Sequence, residues 1–134
     1  MPILTDYKLP KSAEALANLP AESNSPFFVS FHASRDPNTG APWCPDVRAA
    51  LPPLEAAFSA DSAPPVAFIE VGQRPEWRDP KNVYRTNWNV HSTPTLVRYE
   101  RVGGQVKEVG RLEEAEILDS KRLKDLITRP SASL

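Results

Sequence analysis

Two short, almost uninterrupted apolar runs, Phe27-Phe28-Val29-Ser30-Phe31 and Pro65-Val66-Ala67-Phe68-Ile69-Glu70-Val71, constrain this chain more than any other feature. A strand that is apolar at consecutive positions rather than alternate ones has both faces covered, as inside a parallel sheet. The segment between them reads as a helix, because Val47, Leu51, Leu54 and Phe58 recur at spacings of four, three and four and form one stripe for burial. Strand, helix and parallel strand make a βαβ unit. Pro52-Pro53 falls in the second or third turn, where the missing N–H groups predict a kink. Downstream, Asp79-Pro80 reads as N-cap and first residue of a short helix carrying Val83, Tyr84 and Trp88. Thr95-Leu96-Val97-Arg98-Tyr99 and Gln105-Val106-Lys107-Glu108-Val109 flank Gly103-Gly104, which predicts an antiparallel hairpin. Asp119 or Ser120 then caps a final amphipathic helix with Leu123, Leu126 and Ile127 inward, ending before Pro130. A further helix is expected around Ser12 to Leu19.

At 134 residues and 40% hydrophobic content, residues 1–134 are expected to form one α/β domain with a real core. Residues 1–25 read as an N-terminal extension or a first strand and helix, and 129–134 as a flexible tail. Sixteen basic residues balance seventeen acidic ones without a basic block, so neither nucleic acid nor an acidic membrane surface is an expected partner. A single cysteine forms no internal disulfide, the first residues lack the apolar stretch of a signal peptide, and no apolar run reaches transmembrane length. Those readings leave a cytosolic or nuclear protein, with the cytoplasm the expected location; a monomer is expected, able to form a Cys44-linked dimer on oxidation. The fifteen prolines lie scattered at element boundaries and form no repeat.

The sole cysteine, Cys44, sits where the first strand gives way to the helix, in Ala41-Pro42-Trp43-Cys44-Pro45-Asp46-Val47. A helix N-terminus offers unpaired N–H groups and a partial positive charge, both of which favour thiolate over thiol and make a nucleophile of a cysteine placed there. Three residues on, one turn away on the same face, a dithiol oxidoreductase would carry its second cysteine, and this chain has Val47.

The order of elements, a βαβ unit followed by a helix, a hairpin and a closing helix, resembles the thioredoxin-like three-layer fold, a central mixed sheet flanked by helices. Trp43-Cys44-Pro45-Asp46 resembles the start of the Trp-Cys-Pro-Asp-Cys active site of the cytosolic thioredoxin-related oxidoreductases, the thioredoxin domain-containing seventeen group. Pro52 stands where thioredoxins carry their helix-kinking proline. Val71-Gly72-Gln73-Arg74-Pro75-Glu76-Trp77-Arg78-Asp79-Pro80-Lys81-Asn82 resembles that group's sequence after the central strand, and Val90-His91-Ser92-Thr93-Pro94-Thr95 its cis-proline loop. The resemblance covers about residues 27 to 128.

It implies a thiol-disulfide oxidoreductase, of the protein-disulfide reductase type, in which Cys44 attacks a small or peptide disulfide. Trp43, Pro45, Asp46 and Val47 would flank the thiol, and Thr93 and Pro94 would receive the substrate backbone. The loop from His32 to Pro42 resembles the group's extension before the active site, thought to restrict large substrates. With Val47 in place of a resolving thiol, release of the mixed disulfide needs an external thiol such as glutathione. No resident cofactor is implied. The Phe27 to Phe31 strand also lacks the carboxylate that thioredoxins bury for the resolving cysteine.

Other classes fit less well. A papain-like hydrolase needs an oriented histidine base, and His32 and His91 carry no recognisable flanking signature. One cysteine and two unclustered histidines do not make a four-ligand zinc site, so no metal is expected. Monothiol glutaredoxins share the lone cysteine, yet their motif is absent. The principal rival is a thioredoxin-fold binding module or thiol redox sensor that has lost turnover along with the second cysteine. His91 near the proline loop, Trp77 and Trp88 have ready structural explanations as surface and packing residues, and Asp46 as a helix-start charge.

Overall fold

A computed structural model describes residues 3–16 and 26–130. Five strands form one sheet in the order β1-β3-β2-β4-β5, with β1 at Ile3–Leu4, β2 at Phe27–His32, β3 at Val66–Glu70, β4 at Thr95–Val102 and β5 at Gln105–Glu113. β1 and β2 pair in parallel with β3, and β4 runs antiparallel to both β2 and β5. The expected βαβ unit is present: Phe28 lies opposite Val66 and His32 opposite Glu70, and the connection contains α1, Pro45–Phe58. The hairpin closes through Gly103 and Gly104, whose φ values of +62° and +80° suit the two-residue turn that follows strand twist.

Residues of β2 alternate between two covered faces. Phe27, Val29 and Phe31 point into an aromatic layer with Tyr99, Trp77 and Trp88. Phe28 points the other way, into a layer made with Leu54 and Phe58 of α1 and with Leu123 and Leu126 of α4, Ser120–Thr128. Burial on both sides is why this strand reads as a continuous apolar run. Asp119 caps α4, its carboxylate accepting from the N–H groups of Lys121 and Arg122 at 3.1 and 3.2 Å.

Three local expectations need correction. The buried positions of α1 are Val47, Ala50, Leu54 and Phe58; Leu51 instead lines a small cavity of about 50 Å3 beside His32 and Phe68. Pro52 and Pro53 lie inside this helix, where the sequence places them. Asp79 does not start a helix: it ends α2, Arg74–Arg78, and its carboxylate accepts from the Lys81 N–H at 2.9 Å. The next helix, α3 at Val83–Thr86, starts at Asn82, whose side chain accepts from the Tyr84 N–H at 3.0 Å. Around Ser12 only a single 3-10 turn forms at Ala13–Ala15, and residues 17–19 of the expected helix lie outside the described residues.

Candidate active site

Cys44 is the N-cap of α1, partly exposed, with Pro45 at the first helical position and Asp46 in the first turn. Its backbone is extended, at φ −89° and ψ 123°, and its carbonyl accepts from the Arg48 N–H at 3.2 Å, closing the first turn. The side chain makes no capping bond to the helix. Its Sγ lies 3.8 Å from the Thr93 carbonyl oxygen, and the Thr93–Pro94 peptide bond is cis. The thiol therefore faces the backbone just before Pro94. That backbone is held by the Glu114 N–H donating to the Pro94 carbonyl at 2.8 Å and by the Thr95 hydroxyl donating to the Ser92 carbonyl at 2.8 Å.

Trp43 is fixed from two directions. Its backbone N–H donates to Ser34 O at 3.3 Å, and its indole Nε1–H donates to Gly72 O at 2.9 Å. The Arg74 guanidinium lies over the ring, 4.8 Å from its centre. Gly72 permits this crossing: its φ is +120°, and a Cβ there would come 2.8 Å from Glu76 Cβ. Glu76 belongs to the capping box of α2, in which its carboxylate accepts from the Gln73 N–H at 2.8 Å. The loop between β2 and α1 is knit by Asp36 N–H to Ala41 O at 2.8 Å, Gly40 N–H to Asp36 O at 2.7 Å and a bridge between Arg35 and Pro42.

Cys44, Trp43, Thr93 and Pro94 thus meet at one end of the sheet, while Pro45 and Asp46 are exposed at the helix start. Val47 is fully buried in the core side of the first turn. His91 does not join them: it is exposed and hydrogen-bonded to Asn89 at 2.7 Å. Sequence reasoning gave little weight to His32, which is buried, hydrogen-bonded to the Ser30 hydroxyl at 2.7 Å and packed edge-on against Phe68. Burial, reinforced by the charge of Arg35, lowers its pKa from 6.5 to about 4. The signal was present as Ser30 and His32 at alternate positions of an otherwise apolar run. They supply the polarity of a strand that lacks a carboxylate. Among the described residues, no cluster of three or more His, Cys, Asp or Glu side chains could hold a metal ion.

A partly exposed helix-start cysteine opposite a cis-proline loop, at the end of a mixed sheet with helices on both faces, defines the thioredoxin class. Solved structures agree on the fold. A thioredoxin of Trichomonas vaginalis superposes with a TM-score of 0.57 at 23% identity, covering 94% of this chain and 95% of its own. Thioredoxin O2 of Arabidopsis thaliana gives 0.57 at 15% identity over 96% of each. The chain belongs to the thioredoxin domain-containing protein 17-like family, whose sequence profile matches residues 8–129. A thioredoxin domain-containing protein of Schizosaccharomyces pombe is 36% identical over 112 residues, covering 84% of this chain and 89% of that protein. Human thioredoxin domain-containing protein 17 is 37% identical over 73 residues, 54% of this chain and 58% of its own length.

Proposed function

We propose that the chain carries out thiol-disulfide exchange through Cys44 alone. The Cys44 thiolate attacks one sulfur of a small or peptide disulfide, a Cys44–substrate mixed disulfide forms, and the other half leaves as a thiolate. The observation that carries this reading is the placement of Cys44 Sγ, partly exposed at the start of α1 and 3.8 Å from the carbonyl of Thr93. An extended substrate lying against Thr93 and Pro94 has its sulfur beside the nucleophile, at a helix end that favours negative charge. Val47 has no thiol to displace the substrate, so a second molecule completes the cycle. Glutathione is the proposed reductant, and the reducing cytoplasm the setting.

Incubation with oxidised glutathione tests the reading. A one-to-one adduct should accumulate, detected by intact mass, and added reduced glutathione should clear it. Cys44→Ser should form none. In Val47→Cys, whose new thiol lies one turn from Cys44, an internal disulfide should replace the adduct. Catalytic disulfide reduction by the wild type with thioredoxin reductase as the sole reductant would overturn the external-thiol mechanism. Absence of any adduct would instead favour a binding module that uses the groove without exchange.

A further inference from the structure

We propose that two arginines at the rim of the Cys44 site select disulfides bearing carboxylates, an inference that rests on the exchange reading above. Arg48 follows Cys44 by one helical turn, and its Nη1 reaches back to donate to the Pro42 carbonyl at 2.6 Å. Its guanidinium therefore folds back along the first turn to the loop that precedes Cys44. Arg74 comes from the start of α2 and stacks on Trp43, the residue next to Cys44 in the chain. Both side chains belong to exposed residues. The two cations come from different elements, α1 and α2, and each touches a residue of the segment leading into Cys44, Pro42 in one case and Trp43 in the other.

Among the described residues, neither Arg48 nor Arg74 forms an ion pair with a carboxylate; what distinguishes them is their place beside the Cys44 loop, one bonded to Pro42 and the other stacked on Trp43. Asp36, Glu70 and Glu76 accept from the backbone N–H groups of Asn38, Arg35 and Gln73 and keep their negative charge. Asp46 stands exposed in the first turn and opposes the effect. A guanidinium presents five N–H donors in a planar fork that matches a carboxylate, and Arg48 spends one of them on Pro42. The ring of Trp43, itself anchored through Nε1 to Gly72, holds Arg74 at the site before substrate arrives. The substrate class is accordingly a disulfide with a carboxylate a few bonds from sulfur. In the exchange, the Cys44–sulfur bond forms as the disulfide breaks, and the departing thiolate takes its proton from water.

Three probes differing in charge test this: oxidised glutathione, the neutral bis(2-hydroxyethyl) disulfide and the cationic cystamine. Each adduct-forming rate is divided by the rate with an uncharged cysteine peptide, which removes the probe's own reactivity. At low salt, oxidised glutathione should lead the neutral disulfide by about fivefold and cystamine should trail it by a similar factor, with both ratios approaching one at about 1 M salt. Arg48→Gln and Arg74→Gln should each lower the glutathione-to-neutral ratio about twofold, and Arg74→Lys, which keeps the charge but not the planar fork, should fall between wild type and Arg74→Gln. A general change in thiol reactivity moves all three rates together and leaves the ratios alone. Wild-type ratios of one, or ratios unaffected in both glutamine variants, would overturn the selection. Failure of every probe to form an adduct would overturn the exchange reading and this inference with it.

Discussion

The start of α1 and the end of α4 lie against the same face of the sheet, and their polar groups are treated in opposite ways. At the start of α1, Cys44 caps nothing with its side chain and stays partly exposed. At the end of α4, Arg98 reaches from β4 to donate to the carbonyls of Leu126 and Arg129 at 2.7 and 2.9 Å, while its Nε pairs with Glu100 at 2.7 Å. Arg98 and Glu100 are each only 1% exposed. One helix end is finished inside the protein and the other is left for an incoming molecule. Reactivity needs helix-end groups still available to a ligand, whereas a buried helix end is tolerable only when its carbonyls find donors.

The largest test of the contrast removes the closed end. Arg98→Met strips the guanidinium from a buried carboxylate and the donors from two helix carbonyls, and should destabilise the fold by about 3–5 kcal/mol in urea titration. Arg98→Met with Glu100→Leu should recover most of that loss, because an apolar pair avoids the isolated charge. A double variant as unstable as the single one would show that the ion pair is not the origin of the effect.

That pair also shows where sequence reasoning stopped. Arg98 and Glu100 stand two apart in β4, and charged residues at alternate strand positions ordinarily mark a solvent face; here α4 covers them. The hairpin, the parallel strands and the Asp119 cap were legible because each depends on residues adjacent in the chain. Helix α2 was not, since five residues make little more than one turn and leave no periodicity to read. Its signal was Pro75 early and Glu76 at the third helical position after Gln73, a capping pattern overshadowed by Asp79-Pro80. At the site, Cys44, Trp43 and Thr93-Pro94 were visible through local motifs. The placement of Arg74 on Trp43 was not, because α2 and the active-site loop meet only in three dimensions.

The open end has its own buried polar group, and acid should expose it. His32 lies in β2, beside the cavity that Leu51 and Pro42 also line. Its folded pKa, about 4, is below the ordinary 6.5, so as pH falls the unfolded chain takes up the proton first. Stability from this residue is complete above pH 6.5 and is lost progressively down to pH 4. The loss amounts to about 3 kcal/mol. Denaturation at several pH values in wild type and His32→Asn isolates it from the carboxylates. The two should converge as pH drops, and parallel curves would mean that His32 accepts its proton in the folded state.

The smallest effect bears most directly on why α1 begins as it does. Cysteine is a poor N-cap, and Cys44 makes no capping bond, whereas Asp119 accepts from two N–H groups at the start of α4. Serine has nearly the same shape and an oxygen able to accept from the first-turn amides of Asp46 or Val47. Cys44→Ser should therefore abolish adduct formation and still raise stability, by about 0.5 kcal/mol. Asp119→Ala supplies the opposite sign, a loss of about 1 kcal/mol, because a cap already formed is removed. Urea titration at pH 7 measures both against wild type. If Cys44→Ser lowers stability, the contact between Sγ and the Thr93 carbonyl contributes more than the missing cap, and the thiol is itself part of what holds the open end. If stability rises, the chain keeps a less stable helix start in order to have a nucleophile there, which is the pattern expected where a local structural rule gives way to chemistry.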